Sequence, residues 1–188
     1  MKTIVLFLLA CIFFQANVMA QKADSLTPKK EHKHSIDFCP ISPAIGIYAI
    51  HYCYRFSPKN EFIIAPSYMN IKHKGVGHTD APGFIIGYRR YLWRNLHIDY
   101  QLMPMWDRYH DTKENVIYPI GFDLWNEFRL GYSFDFKIQK QTLFLNVQWP
   151  LGFSLYSDPK GKPEAFKKLV KKDPFFYFPP LFFVGIRF

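Results

Sequence analysis

The sequence predicts an all-β fold, an eight-stranded antiparallel up-and-down transmembrane β-barrel, and three observations lead there. Apolar and polar residues alternate with period two from about residue 34 to the last residue. The aromatic content is 19%, yet beyond the first twenty residues no stretch reaches the roughly 20 consecutive apolar residues that a spanning helix needs. The alternating stretches are even in number, and their connections are short at one end and longer at the other.

Residues 1–20 read as a secretory signal, with Lys2 as the positive start, Thr3–Phe14 as the apolar stretch and Val18-Met19-Ala20 as the small-residue cleavage pattern. Leu8-Leu9-Ala10-Cys11 resembles a lipobox, but Ile12-Phe13-Phe14 continue the apolar run where a lipoprotein turns polar. A membrane anchor helix is the other rival, and Gln15 and Asn17 interrupt a run already short for it. Cleavage after Ala20 removes one lysine and no acid, lowering the +9 net charge by one. The remaining excess suits an anionic surface as partner and is no evidence for nucleic acid in an exported protein. Residues 21–33 are polar and aperiodic, as in a disordered periplasmic leader, and residues 34–188 form one barrel domain.

The expected strands are 34–42, 44–56, 61–72, 82–93, 95–109, 118–136, 141–156 and 174–188. In the second, Tyr48, Ile50, Tyr52, Tyr54 and Phe56 oppose Ala49, His51, Cys53 and Arg55. The third and fourth alternate less cleanly, and their facing stays unassigned. In the fifth, Leu96, Ile98, Tyr100 and Leu102 oppose His97, Asp99 and Gln101. The sixth is the clearest, with Phe122, Leu124, Phe128, Leu130, Tyr132 and Phe134 against Asp123, Glu127, Arg129, Ser133 and Asp135. The seventh sets Leu143, Leu145, Val147, Trp149 and Leu151 against Phe144, Asn146, Gln148 and Gly152, and the eighth ends on alternating Phe182, Val184, Ile186 and Phe188. Ser57–Asn60, Arg94 and Lys137–Lys140 are the short connections. His73–Ala81, the region around His110–Glu114 and Ser157–Asp173 are the longer ones, with the turn near Ser42-Pro43 an exception. On that hairpin Cys53 falls several residues past the position opposite Cys39; at about 3.3 Å per residue no disulfide joins them.

Alternation alone does not say which face is outside. A secreted lipocalin-like apolar ligand binder is the same barrel with its faces reversed. The lipid-facing choice rests on bulk, because an eight-strand interior is only just wide enough for side chains and the apolar face is nearly all bulky. The other face mixes small and amide residues with charges of both signs, and Tyr54, Trp106 and Tyr132 gather toward strand ends as an interfacial girdle does. No Gly-x-Trp pattern marks the first strand as a lipocalin's.

With these residues in place the chain resembles the small eight-stranded outer-membrane barrels of the OmpX and OmpA-barrel type over most of residues 34–188. The resemblance implies a cell outer-membrane location and outer-membrane lipids and lipopolysaccharide as partners. It also implies that the terminal Phe182, Val184, Ile186 and Phe188 are the signal read by the barrel insertion machinery.

Function is less legible. Asp99, Glu127, Arg129, Asp135, Arg55 and Arg187 are expected to face inward as a paired polar network that plugs the lumen, since unpaired charge there is costly. Some barrels of this type acylate or deacylate lipid A, and His110, Ser154, Asp123 and Asp107 converge on one rim as weak candidates for such acyl transfer. His32 with His34, or His73, His78 and His110, match no strong ligand spacing, so neither metal nor other cofactor is expected. The last loop carries Lys160, Lys162, Lys167, Lys168, Lys171 and Lys172 as an outer basic patch facing lipopolysaccharide phosphates. The leading expectation is a monomeric outer-membrane protein with a structural or surface-interaction role. The lipid A-modifying enzyme and the secreted binder are the alternatives.

Overall fold

The computed structural model describes residues 32–138, 141–158, 162–164, 166–168, 175–177 and 179–188. The expected signal at 1–20, most of the leader, and Lys160, Lys171 and Lys172 lie outside the described residues. The strands are β1 (His34–Phe38), β2 (Ile47–Ser57), β3 (Asn60–His73), β4 (Gly77–Trp93), β5 (Leu96–Asp111), β6 (Val116–Ile117), β7 (Gly121–Ile138), β8 (Gln141–Ser157), β9 (Phe175–Tyr177) and β10 (Leu181–Arg187). Each pairs antiparallel with its neighbour, and β10 pairs with both β8 and β1, closing an eight-stranded barrel in which β6 and β9 are short extensions at one rim. No described helix is long and apolar enough to cross a membrane, which says nothing about strands.

The terminal strand makes the closure. Ile186 pairs with Ile36 on one side and Leu143 on the other, and Phe188 and His34 exchange backbone hydrogen bonds of 2.8 and 3.1 Å. An apolar, ordered C-terminus is what a seam needs, because every backbone N–H and C=O there has to find a partner.

Three of the departures from the expected strands have a clear local reason. The first strand ends at Phe38 and not at residue 42, since Pro40 and Pro43 offer no donor and Ser42–Ile45 winds into a 3-10 turn. Gly46 follows at φ 79°, in the left-handed region, where its carbonyl accepts the Asn70 amide at 2.7 Å. The expected long connection 73–81 is a tight turn instead, with His73 already paired to Gly77. Residues 77–81 alternate polar outward with small inward, a ladder that hydropathy hides. The last strand is interrupted at Pro179-Pro180, where the missing donors break the ladder between β9 and β10.

Two of the large buried rings fit so narrow a lumen because the facing wall is glycine. The Phe144 ring lies over Gly185, and the His97 ring over Gly131, each where a Cβ would stand. Cys39 and Cys53 are both buried and free; Cys53 stands opposite Ser35 while Phe38 stands opposite Ile50.

Candidate functional site

The lumen is layered along its axis. At the end that carries the termini, β3, β4 and β5 bring Glu61, Arg89 and Asp99 into one row by register: Glu61 opposite Arg89, and Arg89 opposite Asp99. Arg89 donates to both oxygens of Asp99, at 2.8 and 2.9 Å, and to Glu61 Oε2 at 3.2 Å. Arg55 and the Tyr91 hydroxyl donate to Glu61 Oε1 at 2.8 and 3.0 Å, and Arg187 reaches the same oxygen at 3.4 Å. Arg187 also lies 3.3 Å from Asp135, while Arg129 donates to Glu127 at 2.8 Å and to Gln148 at 3.2 Å. Four arginines therefore meet four carboxylates, so the layer is neutral as a whole. Charge-assisted, partly bidentate pairing of this kind is what makes buried charge tolerable. A separate pair, His51 and Asp37 at 2.8 Å, stacks its imidazole on Phe183.

All six residues expected to form the lumen network thus join one connected set. Asp135 is at its edge and is exposed. Glu61 and Arg89, the hub, were not singled out in the sequence. Both sit in the two strands whose alternation is least clean, and Arg89-Arg90 reads as a solvated pair until the register sends one inward. The available signal was the period-two run Glu61, Ile63, Ala65, Ser67 against bulky Phe62 and Ile64.

Above the charged layer the lumen turns apolar, with Ala65, Ile85 and Met103 packed together and Ala49, Met69 and Trp125 against them. At the opposite mouth two described residues of the last loop reach inward. Lys162 is buried there, ion-paired to Asp107 and 3.3 Å from Asp123, and Phe166 packs on Tyr109 at 4.9 Å and edge-on to His73 at 5.0 Å. Lys162 therefore departs from the expected outward basic patch: two inward carboxylates hold it in the mouth. Lys167 pairs with Glu164 at 2.9 Å, and Lys168 is exposed. Burial, with His78 and Lys162 nearby, holds the His73 imidazole below its ordinary pKa.

The four candidates for acyl transfer do not assemble. Asp107 and Asp123 are both engaged by Lys162 inside the mouth. His110 is on the outer face of the wall, 3.0 Å from Asp80, and the Ser154 hydroxyl donates to the Tyr156 carbonyl at 3.2 Å. Ser154 is level with Trp125 on β7 and, through it, with Met103 on β5, so His110 stands two strands away and seven residues further along, roughly 25 Å from it.

The outer wall is apolar between two polar rows. At one end Asn60 accepts from Arg90 at 2.8 Å and from Tyr88; at the other Asp80 accepts from Asn70 at 2.6 Å and from Tyr68 at 2.7 Å. The Tyr68 hydrogen bond, with Asn70 and two histidines beside it, holds the Asp80 carboxyl below its usual range. Between these rows the outward side chains are Phe62, Ile64, Pro66 and Tyr68 on β3 and Tyr88, Ile86, Phe84 and Pro82 on β4. Comparison with protein-family models, with curated proteins and with solved structures found no match.

Proposed function

We propose that this chain is an integral outer-membrane β-barrel with a structural or surface-interaction role and no catalysis of its own. The observation that carries the reading is the apolar belt. Asn60 and Asn70 bracket it on one strand, ten residues apart; at about 3.3 Å per residue and a tilt near 40° this is about 25 Å along the axis, the height of an outer-membrane barrel's apolar band. Large apolar side chains stand exposed all round the wall, among them Ile50, Phe128, Leu130, Trp149 and Phe182. Water is a poor environment for so continuous an apolar surface, and lipid tails are a good one. Tyr54, Tyr88 and Trp93 near one edge and Tyr48, Tyr68 and Trp106 near the other supply the interfacial girdles.

In this reading the lumen is a plug, and the protein acts through the rim that bears the last loop. Exposed Lys168, with Lys167 beside it, faces anionic lipopolysaccharide phosphates. The terminal strand, with outward Phe182, Val184, Ile186 and Phe188, is what the insertion machinery reads. The test is migration in SDS with and without boiling, on protein recovered from membranes after carbonate washing. Faster migration of the unboiled form is expected. Release by carbonate together with identical mobilities would overturn the reading and point to a secreted barrel.

A further inference from the structure

The rim above the belt holds a side-chain cluster that neither the lumen plug nor the belt requires. His78 on β4 stands directly opposite His110 on β5, and Asp80, two residues along β4, projects from the same outward face. The imidazole rings lie 4.4 Å apart and 12° from parallel. Asp80 Oδ2 is 3.0 Å from His110 Nε2 and 3.7 Å from His78 Nε2, and one ligand atom from each residue lies within 4.8 Å of the others. The second carboxylate oxygen, Oδ1, is occupied by the Tyr68 hydroxyl and the Asn70 amide. One oxygen is thus tied back into the wall, and the other is presented to two imidazole nitrogens.

Two imidazole nitrogens and one carboxylate oxygen converge here, at 3.0 and 3.7 Å. The oxygen can accept an N–H from each ring, but the same three atoms with their lone pairs turned inward form a ligand set for one divalent ion, which also offsets the carboxylate charge. We propose that His78, Asp80 and His110 bind a borderline divalent transition-metal ion, Zn2+ by ligand type. Zinc bonds of about 2.0–2.2 Å to nitrogen and oxygen place tetrahedral ligand atoms roughly 3.3–3.6 Å apart. The two carboxylate–imidazole separations, 3.0 and 3.7 Å, fall on either side of that range, so small side-chain rotations complete the triad. Two imidazoles select against Ca2+ and Mg2+, which prefer all-oxygen shells. Tyr68 and Asn70 are the positioning residues, fixing the carboxylate as outer partners fix metal ligands. All three ligands are partly exposed, which leaves the fourth coordination position open to solvent.

The neighbouring charges set the strength. Arg108 faces Asp80 across β5, and Lys72 faces His78 across β3, both outward. Their repulsion is screened, and their stems are long enough to swing clear, so they weaken the site without closing it. An ion held there pins β4 to β5 at the rim beside the tight turn at residues 74–76.

The experiment is calorimetric titration of Zn2+ alone into the full chain folded in detergent micelles, with the boiled and unboiled gel shift recorded on the same samples. One equivalent should bind, more weakly as the pH falls and the imidazoles take up protons. The double variant His78→Ala/His110→Ala should lose nearly all affinity while keeping its gel shift, and Tyr68→Phe should weaken binding about tenfold. Co2+ in place of Zn2+ should give the visible absorption of a low-coordinate nitrogen and oxygen site. Absence of saturable binding, or a double variant that binds as tightly as the parent through histidines such as His32 and His34, overturns the site. A chain without a gel shift that still binds Zn2+ through these three residues overturns the membrane reading and keeps the site.

Discussion

Arg89 and Arg90 are adjacent in sequence and opposite in role. Arg89 is 1% exposed and holds Glu61 and Asp99 together, whereas Arg90 is exposed on the outer wall and donates to Asn60. Arg89→Met takes the only arginine from Asp99 and one of three from Glu61 and should cost about 3–5 kcal/mol, while Arg90→Ala should stay within about 0.5 kcal/mol. Urea unfolding in micelles followed by tryptophan fluorescence separates the two, and equal effects would sink the hub assignment. His73 gives a residue-scale pH dependence. Its imidazole is more acidic folded than unfolded, so as pH falls the unfolded chain takes the proton first. Stability should therefore be complete above the ordinary histidine pKa of about 6.5, fall as pH drops below it, and level off under the folded value. A charged His73 would also repel Lys162 in the mouth. His73→Gln should flatten this part of the profile; an unchanged slope between about pH 7 and 5 would assign it elsewhere.

At the scale of elements, the last loop and the closing strand carry the predictions. Lys162→Ala leaves Asp107 and Asp123 facing each other in the mouth, and the expected loss is about 2–4 kcal/mol with faster hydrogen exchange at the outer ends of β5 and β7. Exchange rates matching the parent would mean that the lysine only rests there. Along the seam, a Cβ at Gly185 would collide with the Ile36 carbonyl and the Phe144 ring. Gly185→Val should cost about 1–3 kcal/mol by overpacking, read as a lower temperature for losing the fast-migrating gel form. An unchanged temperature would show that Phe144 can leave its place over the seam.

For the whole molecule, the belt makes the sharpest distinction. Phe128 is 41% exposed and pairs with Tyr100 in the middle of the wall. In lipid, Phe128→Arg should cost about 2–4 kcal/mol at this depth, and the same change at the rim much less. In a barrel whose wall faced water it would be neutral or help solubility. The measurement is reversible unfolding from lipid vesicles, comparing Phe128→Arg with an arginine placed at Ile120.

The sequence by itself determined the strands that carry clean alternation, the closing role of Phe182–Phe188, the absence of a Cys39–Cys53 bond and the inward facing of Asp99, Glu127 and Arg129. Period two is a local property, since each residue's face follows from its neighbour's, and the strands at 121–138 and 141–157 were legible as 118–136 and 141–156. Only the tertiary structure decided the rest. Glu61 meets Arg89, Lys162 meets Asp107, and Asp80 meets His110 through register and strand order, which bring together residues far apart in the chain. The early ladder of β4 was hidden for a related reason. Its outward side chains, His78 and Asp80, are polar and lie past the apolar part of the wall, so backbone pairing continues after the apolar signal has stopped.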